Sequence, residues 1–97
     1  MTRLTIETDT PETATTLIEI MSEVERAENK FPVWPTCNVK RAAIILEEAG
    51  ELIREANLLD KGKGSVINLR TEIIQTAAMC IRMLKFLKDD QLKEVRS

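Results

Sequence analysis

The chain predicts an all-α fold: an antiparallel helical bundle of three main helices plus a short C-terminal helix, completed by homo-oligomerisation. Three observations carry this expectation. Apolar residues recur at three- and four-residue spacing over three long stretches, the period of a helix with a buried face. Two breaker-rich segments, Lys30-Phe31-Pro32-Val33-Trp34-Pro35 and Asp60-Lys61-Gly62-Lys63-Gly64, divide those stretches. The third stretch is apolar around nearly its whole circumference, and a lone chain of 97 residues can hardly bury such a helix on all sides.

Residues 1–97 read as a single domain, opening on a loose N-terminal segment, 1–9, in which Leu4 and Ile6 alternate with polar neighbours. Thr10 is placed to cap the first helix, with Pro11 at its first position and Glu12 in its first turn. That helix should run to about Asn29 on a stripe of Leu17, Ile20, Met21 and Val24. Pro32 and Pro35 end it, since neither can donate a backbone hydrogen bond.

The second helix is expected from Asn38 to about Leu59, with a stripe of Ala42, Ile45, Ala49, Leu52, Ile53 and Ala56. At about 100° per residue, Glu48, Glu51 and Glu55 fall within an arc of about 60° beside that stripe. Solvated acids usually lie opposite the core, whereas these border it. Gly50 costs about 1 kcal/mol against alanine in a helix interior, which fits close approach of another backbone or a ligand, or a packing role. Ser65 then caps a third helix carrying Val66, Ile67, Leu69, Ile73, Ile74, Ala77, Ala78, Met79, Cys80, Ile81, Met83, Leu84, Phe86 and Leu87. Asp89-Asp90 is read as the cap of the short last helix, through Arg96.

Charge and composition exclude several functions. A net charge of −2, with no basic tract, gives no footprint for nucleic acid or an anionic membrane. No apolar run reaches membrane-spanning length, and the N-terminal thirty residues lack a signal-peptide pattern. Cys37 and Cys80 are too few for a disulfide framework and read as free thiols, hence a cytoplasmic protein. Histidine is absent, so any chemistry must run on carboxylates, lysines and a metal.

Two pairs at three-residue spacing stand out: Glu48 with Glu51, and Glu72 with Gln75. Each pair shares one helix face, so side-by-side packing of the two helices would let four oxygen-bearing side chains converge. Such a set suits a hard divalent cation. The competing reading is a surface face of acids, but Glu51 with Glu55 and Glu47 with Glu48 then repel one another. Glu72 weighs against it too, because an unpaired carboxylate on an apolar helix costs several kcal/mol, of order 3–5 when a buried charge is left alone.

Phe31-Pro32-Val33-Trp34-Pro35-Thr36, Ala42-Ala43-Ile44-Ile45-Leu46-Glu47-Glu48-Ala49-Gly50-Glu51-Leu52 and Glu72-Ile73-Ile74-Gln75-Thr76-Ala77-Ala78-Met79 together resemble the MazG-like branch of the all-α nucleoside triphosphate pyrophosphatases. The similarity spans roughly residues 23–87 and is nearest to the short single-domain members of phages and mobile elements. The family pattern is ExxE, a spacer, then ExxD. Glu48 and Glu51 meet the first half, Glu72 opens the second, and Gln75 stands where the pattern has aspartate.

The resemblance implies hydrolysis of a (deoxy)nucleoside triphosphate to the monophosphate and pyrophosphate, with Mg²⁺ or Mn²⁺ held by Glu48, Glu51, Glu72 and Gln75. It also implies Glu47 as catalytic base or bridging ligand, Trp34 as an aromatic enclosing the base, and a homodimer or homotetramer. Trp34 can equally plug the loop onto the bundle. Lys30, Lys40 and Arg82 are cations near enough in sequence to reach phosphates, or ordinary surface residues. Gln75 keeps open the alternative of a non-catalytic helical dimer that binds a nucleotide or a protein partner.

Overall fold

The computed structural model describes residues 10–96, and the expected N-terminal segment 1–9 lies outside them. Three helices form, α1 (Pro11–Lys30), α2 (Asn38–Asp60) and α3 (Val66–Arg96), with no strand among the described residues. None of them is long and apolar enough to cross a membrane.

The caps are those the sequence dictates. Thr10 has extended backbone and its side chain accepts from the Thr13 N–H at 3.2 Å, satisfying a donor that no helical carbonyl reaches. Ser65 Oγ does the same for α3, accepting from the N–H groups of Ile67 and Asn68 at 3.1 and 3.3 Å. Between α2 and α3 the turn needs its glycines. Gly62 has φ +72°, and a Cβ at Gly64 would lie 2.7 Å from the Leu59 backbone nitrogen. The Lys63 and Gly64 N–H groups both donate to the Leu58 carbonyl, closing the end of α2.

One boundary differs from expectation. α3 continues to Arg96 without a break, so the short fourth helix does not exist as a separate element. No proline or glycine interrupts residues 66–96, and two aspartates cost well under about 1 kcal/mol each in a helix, too little to stop one.

α3 packs against both other helices, antiparallel to α2 across the short turn and alongside α1. Val24 and Ala27 of α1, Ala78 and Met79 of α3, and Trp34 of the connecting loop form the core. Met21, Ile44, Ile45, Ile81, Met83 and Phe86 pack around it. Two exposed ion pairs, Arg70 with Glu19 and Lys85 with Glu28, fix the register of α1 on α3. Both lie at the surface, where solvent screening leaves an ion pair little net stabilisation.

The apolar stripes are only partly covered. Val24 is buried, but Leu17 is exposed. On α2, Ile45 and Leu52 turn inward while Ala42 and Ile53 face solvent. Val66, Ile67, Ile73 and Leu84 of α3 are exposed as well, so one chain leaves much of its most apolar helix open.

Candidate metal centre

Glu48 and Glu51 project from successive turns of α2, and Glu72 faces them from α3. One carboxylate oxygen from each lies within 4.8 Å of the others. The antiparallel packing brings these residues together from positions more than twenty apart in sequence. Glu48 and Glu72 are half-buried and Glu51 is exposed, so the cluster is rooted in the helix seam and open at its Glu51 side.

The electrostatics are those of a site without counter-charge. Burial pushes the Glu48 carboxyl above its ordinary 4.5, and Glu51, Glu47 and Glu23 push it further. Glu72 is also raised, first by burial, then by the charge of Glu51 and a hydrogen bond between the two carboxyls. Glu48 and Glu55 add to that shift. Glu48 Oε2 and Glu72 Oε2 are both buried with no hydrogen-bond partner among the described residues. Two buried, orphaned carboxylate oxygens beside a third acid are what an oxygen-preferring cation would satisfy, so this donor set fits Mg²⁺ or Mn²⁺.

A stability consequence follows. The folded protein holds the Glu48 and Glu72 protons to higher pH than the unfolded chain does, because both carboxyls are raised. Their contribution favours folding at acid pH and is lost as pH rises from about 4.5 through the raised values. Without metal, the melting temperature should therefore fall more steeply as pH rises above about 4.5 than in a Glu48→Gln, Glu72→Gln double variant. Thermal scans across that pH range, with and without Mg²⁺, test this; identical slopes for the two proteins would rule out a strained acid cluster.

The remaining expected site residues divide. Gln75 is half-buried one turn beyond Glu72, on the same face of α3. Glu47 is exposed beside Glu48. Lys30 is exposed, with Nζ 5.4 Å from the centre of the Phe31 ring, and Lys40 is exposed at the start of α2. Trp34 and Arg82 are not at the cluster. Arg82 lies ten residues along α3 from Glu72, about 15 Å on a helix. Its guanidinium donates to the Phe31 carbonyl at 2.8 Å and sits 4.2 Å from the Trp34 ring centre. Trp34 in turn stacks on Phe86 at 6.2 Å between centroids and is 7% exposed. This arrangement clamps the loop onto the bundle.

Two further acids bear on the centre, and one of them, Glu23, escaped the sequence reading. Glu55 adds its charge to Glu72 from one turn beyond Glu51, and its place in the acidic arc was the available signal. Glu23 bears on Glu48 from α1, although it is paired with Arg26, and nothing in its local sequence marks it. No protein-family model, curated protein or solved structure matches this chain, so the centre rests on its own geometry and on the residue pattern.

Proposed function

We propose that the protein is a metal-dependent nucleoside triphosphate pyrophosphohydrolase that cleaves between the α and β phosphates, working as an assembly of identical chains in the cytoplasm. The observation that carries this reading is the convergence of Glu48, Glu51 and Glu72, two of them with buried and unsatisfied oxygens. The ExxE-spacer-Exx pattern of the sequence supports the same chemistry.

Glu48, Glu51 and Glu72 would hold the cation, with the Gln75 amide oxygen as a neutral fourth ligand. Bound there, Mg²⁺ would offset most of the acids' charge, offer phosphate oxygens of the triphosphate a coordinating cation and stabilise the charge developing on them. Unloaded, the cluster would repel that substrate. A carboxylate of the cluster that does not hold the cation takes the proton from the attacking water. Lys40, exposed on the first turn of α2, and Lys30, exposed at the end of α1, would meet outlying phosphates.

The test is pyrophosphate release from a panel of ribo- and deoxyribonucleoside triphosphates with and without Mg²⁺ or Mn²⁺. Mg²⁺-dependent release supports the proposal. Nucleotide binding without release from any member would favour the non-catalytic alternative. Gln75 makes a sharper prediction within this assay. Gln75→Asp adds a negative ligand, so Mg²⁺ affinity should rise roughly tenfold, read by calorimetry or by the Mg²⁺ concentration giving half-maximal rate. A decrease would mean that Gln75 does not face the ion.

A further inference from the structure

The outward face of α2 carries a second pattern that the acid cluster does not use. Val39, Ala43, Leu46, Gly50, Ile53 and Asn57 follow one another at alternating spacings of four and three residues, and all six are exposed. Val39, Leu46 and Ile53 are 77, 73 and 60% exposed. Among the described residues nothing lies within 4 Å of the position a Cβ would take on Gly50, so no contact among them accounts for that glycine. The inward face of the same helix, through Ile45, Glu48 and Leu52, is already used against α3. α2 is therefore apolar on two opposite sides, and the chain covers one of them.

We propose that this stripe is the seam through which α2 pairs with α2 of a second copy, in antiparallel orientation. A strict 3-4 repeat is the signature of helices that interlock knobs into holes. The stripe is self-complementary in only one direction. Its large residues, Val39, Leu46 and Ile53, alternate with the small or polar Ala43, Gly50 and Asn57. Antiparallel pairing with Leu46 opposite Gly50 of the second copy also sets Ile53 opposite Ala43 and Val39 opposite Asn57. Every layer then holds one large and one small residue, and the missing Cβ of Gly50 becomes the hole for the leucine. Parallel pairing would set leucine against leucine and glycine against glycine, leaving voids in alternate layers.

Charge selects the same register. Lys40, Glu47 and Arg54 form one edge of the stripe at seven-residue spacing. With Leu46 against Gly50, helical side chains tilted towards their own N-termini bring Glu47 and Arg54 of opposite copies towards each other, once on each side of the two-fold axis. The pairing gives a surface to the assembly of identical chains proposed above, and it does not depend on metal or nucleotide.

Sedimentation equilibrium over a range of protein concentrations tests it. The unmodified protein should reach twice the monomer mass, while Leu46→Glu and Gly50→Leu each sediment as monomers. Both sites are open in the single chain, so helical content by circular dichroism should be unchanged, separating lost pairing from lost folding. Arg54→Glu should weaken association about tenfold, and adding Glu47→Arg should restore it. A monomer at every concentration would overturn both the seam and the proposed assembly. An oligomer that survives Leu46→Glu and Gly50→Leu would overturn the seam alone. Failure of the charge swap to restore pairing would overturn the antiparallel register.

Discussion

Replacing Glu72 by glutamine is expected to reduce Mg²⁺-dependent pyrophosphate release by at least about a hundredfold, and Glu51→Gln to do the same. The two changes act on opposite helices, yet on one cluster whose oxygens lie within 4.8 Å. Each removes a negative ligand while keeping nearly the same volume, so packing should survive. Their effects on the metal-free fold separate a functional acid from a structural one. Glu72 is held above its ordinary range by burial and by Glu51, so its charge destabilises the empty fold. Glu72→Gln should raise the melting temperature of the metal-free protein while abolishing its stabilisation by Mg²⁺. A structural acid would behave in the opposite way, with stability falling on substitution and little change with metal. Unchanged turnover in both variants would defeat the site assignment.

The helices were legible because their signals are local. Thr10 with Pro11, Ser65 before Val66 and the glycines at 62 and 64 act within a few residues, and each performs the role its type and position imply. The junction at Asp89-Asp90 misled for the same reason: two residues of modest helix cost were read as a boundary although nothing there breaks a helix. The acid cluster was legible in its members, because Glu48 and Glu51 share a face and Glu72 has costly neighbours. Its long-range context was not. Glu23 reaches Glu48 only through the packing of α1, which no short-range pattern encodes. The expected inward stripe of α2 holds only in part, since the helix carries a second apolar stripe. Ile45 and Leu52 went in, and Ile53 stayed out.

Trp34→Ala is expected to be the most destabilising single change in the chain, costing about 3–5 kcal/mol. Loss of that size is a large share of the roughly 5–15 kcal/mol that stabilises a domain of this size. The ring joins the α1–α2 loop to α3 through Arg82 and Phe86, and Arg41 of α2 is tied in through Phe86 and the loop backbone. Arg41 donates to the Pro35 carbonyl at 2.7 Å and lies 5.0 Å from the Phe86 ring centre. Arg82 is 3% exposed, with burial holding its guanidinium below its ordinary range, so it tolerates desolvation only while the Phe31 carbonyl and the Trp34 ring face it. Removing the ring opens a cavity and strips the arginine of one of its two supports. Arg82→Lys should therefore also lower the melting temperature, because an ammonium cannot both lie flat on the indole and reach the carbonyl. A role as platform for a nucleobase predicts something else: Trp34→Ala would raise KM and leave the melting temperature nearly unchanged. The ring lies about 10–15 Å along the helices from Glu48 and Glu72, and its 7% exposure leaves no open face for a base. The stability loss, measured by thermal or urea unfolding without nucleotide, is thus the outcome that the clamp requires.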